Sequence, residues 1–169
     1  MIRGSLKHIK AIIMDVDGVL TDGRIIIDGN GVESKFFDVQ DGFGIVFAKK
    51  SGLKTGIISA RPSPVTHVRA KDLNIDKVFI SYPKITAYQA VKEEWGLTDA
   101  EICFIGDDLA DLKVMKVVGF AAAVNNAVAE IKQIAHYVTE HHGGRGAVRE
   151  VIEHILKAQG KWGPDLYEH

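Results

Sequence analysis

Five short apolar runs set the terms on which this chain can fold: residues 9–14, 54–58, 77–80, 102–105 and 120–124. Runs such as AIIM and ICFI are apolar at consecutive positions, which is how a strand reads when a parallel sheet buries both of its faces. The stretches between them change period. Phe43, Val46 and Phe47 share a helical stripe, as do Val65, Val68 and Leu73, then Tyr88, Val91 and Trp95, and finally Leu112 and Met115. Pro62 and Pro64 suit a helix entrance, where missing amide hydrogens cost least, and Gly96 suits a helix end. Asn125 or Asn126 is placed to cap the helix after the fifth run. A short strand near 137–138 and the amphipathic stretch Val148, Val151, Ile152, Ile155 and Leu156 complete the alternation. Strands alternating with helices predict an α/β fold: a Rossmann-like, mainly parallel sheet with helices on both faces.

A chain of 169 residues supports one well-buried core, so a single domain over 1–169 is expected. Residues 24–28 and 32–38 read as two strands joined at Gly29-Asn30-Gly31, a tight hairpin. Ile25, Ile26, Ile27, Phe36 and Phe37 make this projecting hairpin, about 24–38, apolar on both faces. A ribbon in water should not be, and a second copy of the chain is the simplest cover. The hairpin and one helix fill the interval before the second run, which leaves no room for a separate cap domain. The tail, about 160–169, is polar apart from residues such as Trp162 and is assigned no structure. The net charge of −1 gives no general attraction to nucleic acid or to an anionic membrane. No apolar segment approaches the roughly 20 residues that span a bilayer, and residues 1–10 lack the apolar core of a secretory leader. A cytoplasmic location follows as the expectation. The single cysteine, Cys103, sits inside the fourth run as a core residue and excludes an intrachain disulfide.

Polar residues punctuate the strand ends. Asp15 and Ser59 each follow an apolar run directly, Asp107 follows one after Gly106, and Lys84 stands a few residues beyond another. A parallel sheet gathers such positions at its carboxyl edge, where open α/β sheets bind ligands. Asp17 comes two residues after Asp15, and Gly18 then permits a turn that a β-carbon resists. Together with Asp107, Asp108 and Asp111, these carboxylates would crowd, and like charges that close cannot all stay ionised without compensation. A hard divalent cation such as Mg²⁺ is the natural compensation, with Lys84 adding a further positive charge.

The string DVDGVLTDG resembles the first motif of the haloacid dehalogenase superfamily of phosphatases, D-x-D-G-x-[LT]. Its extension through Thr21, Asp22 and Gly23 is similar to the small-capped branch that contains the 3-deoxy-D-manno-octulosonate 8-phosphate phosphatases. Ser59 in IISAR, Lys84, and Gly106-Asp107-Asp108 with Asp111 downstream match the second, third and fourth motifs in order. Ala60 and Pro83 depart from it, since Gly and an acidic residue are more usual there. The resemblance implies that Asp15 attacks phosphorus to form an aspartyl-phosphate, which water hydrolyses, while Asp17 serves as acid and then base. It also implies Mg²⁺ held by the side chains of Asp15 and Asp107 and by the backbone carbonyl of Asp17, with Asp108 and then Asp111 supporting them from behind. Ser59 and Lys84 would hold the phosphoryl oxygens.

Arg61, beside Ser59, and Arg145, in GGRGAVRE, are candidate contacts to an anionic sugar acid, which a planar guanidinium suits. The GGRG stretch reads equally well as a loop capping the last helix. His141 and His142 lack convincing metal-ligand spacing. The implied substrate is a phosphorylated eight-carbon sugar acid whose free form enters lipopolysaccharide, and the implied assembly is a homotetramer whose neighbouring hairpin shapes the pocket. A nine-carbon sialic-acid-type phosphate is the alternative substrate. A phospho-receiver also gathers Asp, Ser or Thr, and Lys on a parallel sheet, but Asp17 and the acidic pair after Lys84 favour turnover. A silent assembly module is disfavoured by the complete set of reactive side chains.

Overall fold

In the computed structural model, which describes residues 6–166, the five runs and the short strand near 137–138 form one parallel sheet. Residues 1–5 and 167–169, which carry part of the leader and tail expectations, lie outside the described residues. The strands are β1 (Ala11–Met14), a separate antiparallel pair β2 (Ile26–Ile27) and β3 (Glu33–Ser34), then β4 (Lys54–Ser59), β5 (Lys77–Ile80), β6 (Ile102–Gly106), β7 (Phe120–Ala123) and β8 (Tyr137–Val138). The helices are α1 (Val39–Lys50), α2 (Pro64–Asp72), α3 (Lys84–Trp95), α4 (Leu112–Met115), α5 (Ala129–Ile134) and α6 (Ala147–Ala158). Sheet order is β5-β4-β1-β6-β7-β8. The chain winds outward from β1 through β4 to β5, then returns to add β6, β7 and β8 on the other side. The winding therefore reverses between β1 and β6, and a crevice opens there at the carboxyl edge.

Every residue of β1 and β6 is buried, as continuous apolar runs require when helices cover both faces. Helix α1 packs against α6, and α3 against α4. Asp38 caps α1 by accepting from the amides of Gln40 (2.7 Å) and Asp41 (3.1 Å). Asp41, in the first turn of α1, reaches across to accept from Arg149 N (2.8 Å) and Gly146 N (3.3 Å), so α6 receives its cap from another helix. Burial raises the Asp41 pKa to about 6 despite those amides.

Three expectations need correction. Val68 points outward at 70% exposed, while Thr66, Ala70 and Leu73 face inward. Spacings of four and three residues make these the inner stripe of the short α2. Neither Asn125 nor Asn126 caps α5, whose cap position is Val128; both asparagines bind neighbouring loops instead. The tail is not structureless through 166: Trp162 packs edge-to-face on Phe47 at 5.8 Å, and the Arg149 guanidinium lies 4.7 Å from its ring centre.

The hairpin pairs over a shorter length than expected, Ile26 with Ser34 and Ile27 with Glu33. Its outer surface keeps Ile25, Ile27 and Phe36 exposed, the last at 74%. Cys103 is buried and free. Among the described residues no helix is long and apolar enough to cross a membrane.

Candidate active site

The crevice between β1 and β6 is where the acidic residues meet. Asp15, directly after β1, donates its backbone N–H to Ile105 O in β6 at 3.1 Å. The turn that follows is tight against the neighbouring strand end. Gly18 has φ of +91°, and a Cβ added there would lie 1.9 Å from Asp107 Oδ2. Asp15, Asp107 and Asp111 each present a carboxylate oxygen, all within 4.8 Å of one another. Lys84, the first residue of α3, is 1% exposed and sets its ammonium 2.8 Å from Asp15 Oδ2 and 2.6 Å from Asp111 Oδ1. Asp111 also accepts the amides of Asp107 (2.9 Å) and Asp108 (3.4 Å), which ties the loop after β6 to the lysine.

Charge bookkeeping shows what the cluster lacks. Three carboxylates face one ammonium, a surplus of two negative charges when all are ionised. Burial is the main cause that raises the Asp15 pKa to about 6 and that of Asp107 to about 8, with the neighbouring carboxylates adding to it. Burial opposes the Lys84 charge as well, but Asp15 and Asp111 outweigh it and hold the lysine pKa above its ordinary value. Asp107 Oδ1 is buried with no hydrogen-bond partner among the described residues. A buried acceptor without a donor, in an all-oxygen set with excess negative charge, fits a hard divalent cation.

The other expected residues divide. Ser59 ends β4 beside β1 at the same sheet edge, buried, its hydroxyl accepting from Arg61 N (3.3 Å) and donating to Arg61 O (3.2 Å). The Asp17 carboxylate stands outside the trio and is paired with Lys35. Asp108 faces solvent and accepts the amide of Leu109 (2.7 Å), whereas Asp111 is fully buried and is the residue that joins Asp15 and Asp107. The reason is the tight turn after Asp108, which rotates the next inward position to residue 111. Arg61 is gripped by Glu33 at 2.5 Å. Arg145 lines a cavity of about 350 Å³ with Asp22, Phe36, Phe37, Asp38 and Gly144, so the GGRG loop adjoins both the hairpin and the turn after β1. His141 pairs with Glu150 at 2.7 Å and joins no metal-binding cluster among the described residues.

Sequence reasoning passed over Glu33 and Lys35, and it read Asn126 only as a helix cap. Glu33 and Lys35 carried a signal, because residues two apart in an extended segment share a face and these two have opposite charge. Asn126 carried none. Its side chain accepts from Gly143 N (2.6 Å) and donates to Gly18 O (3.5 Å), a link that depends on long-range packing.

Known proteins of one family resemble this chain in sequence and fold. Residues 81–152 match the family of haloacid dehalogenase-like hydrolases. The 3-deoxy-D-manno-octulosonate 8-phosphate phosphatase of Haemophilus influenzae is 40% identical over 157 residues, 92% of this chain and 87% of that protein. The crystal structure of the Moraxella catarrhalis 3-deoxy-D-manno-octulosonate 8-phosphate phosphatase, in complex with magnesium ion, phosphate ion and KDO, superposes with a TM-score of 0.91. It is 42% identical and covers 94% of this chain and 92% of that one. The cobalt-bound form of the Haemophilus influenzae phosphatase gives a TM-score of 0.90 at 39% identity, covering 93% and 92% of the two chains.

Proposed function

Because this chain belongs to the 3-deoxy-D-manno-octulosonate 8-phosphate phosphatases, within the haloacid dehalogenase-like hydrolases, we propose that it hydrolyses that phosphomonoester to the free sugar acid and inorganic phosphate, using Mg²⁺. The observation that carries this reading is the buried carboxylate trio with Lys84 at the crevice between β1 and β6.

Asp15 is the nucleophile. The Val16 amide holds its Oδ1 at 2.7 Å and Lys84 holds Oδ2 at 2.8 Å, so the carboxylate is fixed before substrate arrives. Asp15 attacks phosphorus, the bond from phosphorus to the sugar oxygen breaks, and Asp17 passes its proton to the departing oxygen. Asp17 then takes a proton from water as the water oxygen attacks phosphorus, and inorganic phosphate leaves Asp15. Ser59 and Lys84 hold the transferring oxygens, where stabilisation of charge does most of the work. Asp15, Asp107 and the backbone carbonyl of Asp17 hold Mg²⁺, which when bound supplies the positive charge that brings nucleophile and phosphate together. Asp111 orients Asp107 and Lys84 through its hydrogen bonds. Arg61 and Arg145 meet the sugar-acid carboxylate.

Phosphate release from the eight-carbon sugar-acid phosphate, a nine-carbon sialic-acid-type phosphate and a panel of simple sugar phosphates, each with Mg²⁺ or chelator, tests the reading. Mg²⁺-dependent preference for the eight-carbon acid is expected. Turnover insensitive to chelator, or a preference for the nine-carbon acid, overturns it.

The same groups make stability depend on pH and metal. Without metal, Asp15 and Asp107 keep protons in the folded protein at pH values where the unfolded chain, with an ordinary value of 3.8, has lost them. The folded state binds more protons than the unfolded one over that interval, so metal-free stability falls as pH rises from about 4 towards 8. Mg²⁺ competes with those protons, and the rise in melting temperature that it gives should be larger at the alkaline end. Melting curves with Mg²⁺ and with chelator check this, and a larger metal increment at the acid end contradicts it.

The exposed apolar hairpin supports assembly as a homotetramer, with a neighbour's hairpin helping to shape the substrate pocket. Phe36→Asp is expected to shift sedimentation to smaller species and to lower activity; an unchanged sedimentation coefficient removes the hairpin from the interface. The product acid supplies lipopolysaccharide synthesis in the cytoplasm.

A further inference from the structure

Lys35 lies just beyond β3, on a ribbon whose next residue, Phe36, is 74% exposed, yet its own side chain is only 1% exposed. Its ammonium turns inward to Asp17 Oδ1 and stands 3.2 Å from Glu33 Oε1. Glu33 is the hub of this contact. Its Oε1 also accepts from Ser63 Oγ at 2.7 Å, and its Oε2 takes the Arg61 guanidinium at 2.5 Å. Signs alternate along Lys35, Glu33 and Arg61, and Lys35 donates in turn to Asp17 Oδ1. The hairpin is thereby fastened to the turn that carries Asp17 and to the loop that follows Ser59.

Among the described residues Lys35 is the one side chain hydrogen-bonded to or ion-paired with the Asp17 carboxyl group, with Arg61 acting on it only at longer range. Gly18, next in sequence, adds no side chain to restrain it. From this we propose that Lys35, held in place by Glu33, positions the protonated Asp17 by donating to its Oδ1, which leaves Oδ2 to carry the proton that goes to the leaving oxygen, an inference that rests on the reading of the site above. Lys35 is a positioning residue: it transfers no proton and forms no bond to phosphorus. Its contribution is the direction of the Asp17 carboxyl group, and a displacement of about 1 Å at such a group costs on the order of 10²-fold in rate.

Leaving-group dependence separates this role from a merely structural one. A sugar alkoxide needs the proton from Asp17 to depart, whereas 4-nitrophenolate leaves without it. In both cases kcat/KM reports the steps up to departure of the leaving group. Lys35→Met is expected to lower kcat/KM for the sugar-acid phosphate about 50-fold or more and that for 4-nitrophenyl phosphate less than about 5-fold. Glu33→Gln, which loosens the grip on Lys35 while keeping a hydrogen-bonding side chain, should shift the two substrates in the same unequal way by a smaller factor. Equal losses on both substrates, in whichever variant melts as a folded protein, overturn the proposal. The alkyl arm can be any sugar phosphate that the unaltered enzyme hydrolyses. Failure with the eight-carbon acid alone therefore strikes the substrate assignment and leaves the test of Lys35 intact.

Discussion

Asp15→Asn is expected to lower phosphate release by roughly 10⁴-fold or more while the protein stays folded. The amide has nearly the shape of the carboxylate but supplies no anionic oxygen to attack phosphorus. It also removes one of the two surplus negative charges in the cluster, and Lys84 keeps Asp111 at 2.6 Å. The crowding that helps raise the Asp107 pKa includes the Asp15 charge, so metal-free Asp15→Asn should melt at or above the temperature of the unaltered protein. Asp108→Asn is the matched control, because Asp108 faces solvent and its side chain accepts only the local amides of Leu109 and Asp111, which an amide oxygen can also accept. It should change activity little. Turnover by Asp15→Asn within tenfold of the unaltered enzyme would remove Asp15 from the nucleophile role. Phosphate release and thermal melting, measured on the same preparations, decide the matter.

Gly143→Ala should be the most damaging of the small surface-loop substitutions. A Cβ on Gly143 would sit 1.7 Å from the carbonyl oxygen of Gly18 and 3.0 Å from that of Thr21. Both are backbone atoms, and no rotamer change relieves the overlap. The loop is held from the other side too, since Gly143 N donates to Asn126 Oδ1 at 2.6 Å and Gly144 N to Val19 O at 2.9 Å. Either the loop withdraws from the turn after β1, or that turn moves and takes Asp17 with it. A loss of about 3 kcal/mol, at the upper end for overpacking, corresponds to a fall of roughly 6–12 °C in melting temperature for a domain of this size. Activity should fall with it. Gly163→Ala provides the contrast, because a Cβ there meets nothing within 4 Å. If Gly143→Ala melts and turns over like Gly163→Ala, the close approach of the two loops plays no part in the site.

Much of this is legible in the sequence alone. The apolar runs at 9–14 and 102–105 become β1 and β6, and the polar residues at their ends, Asp15 and Asp107, meet across the crevice between them. Lys84 was placed at the opening of a helix and does open α3. These succeed because strand burial and strand-end position are local properties, written in consecutive residues. The failures have a different origin. Val68 is misplaced because α2 is short and three apolar residues do not fix its phase. Which of Asp108 and Asp111 points inward is set by a single tight turn, and either orientation satisfies the same spacing. Trp162 docks on Phe47 and Arg149 through contacts that no periodicity announces.

By itself, the order of residues determined the class of fold, the edge of the sheet at which reactive groups collect, and their chemical kind: carboxylates, a hydroxyl and an ammonium. Tertiary structure alone decided the pairings: Lys35 with Asp17, Asp41 with the amides that open α6, Asn126 with Gly143, and Asp111 between Lys84 and the loop of Asp107. The physical reason is distance along the chain. A strand or helix announces itself through neighbours a few residues apart, but a hydrogen bond between remote side chains depends on which elements pack together and at what register, which no local pattern encodes.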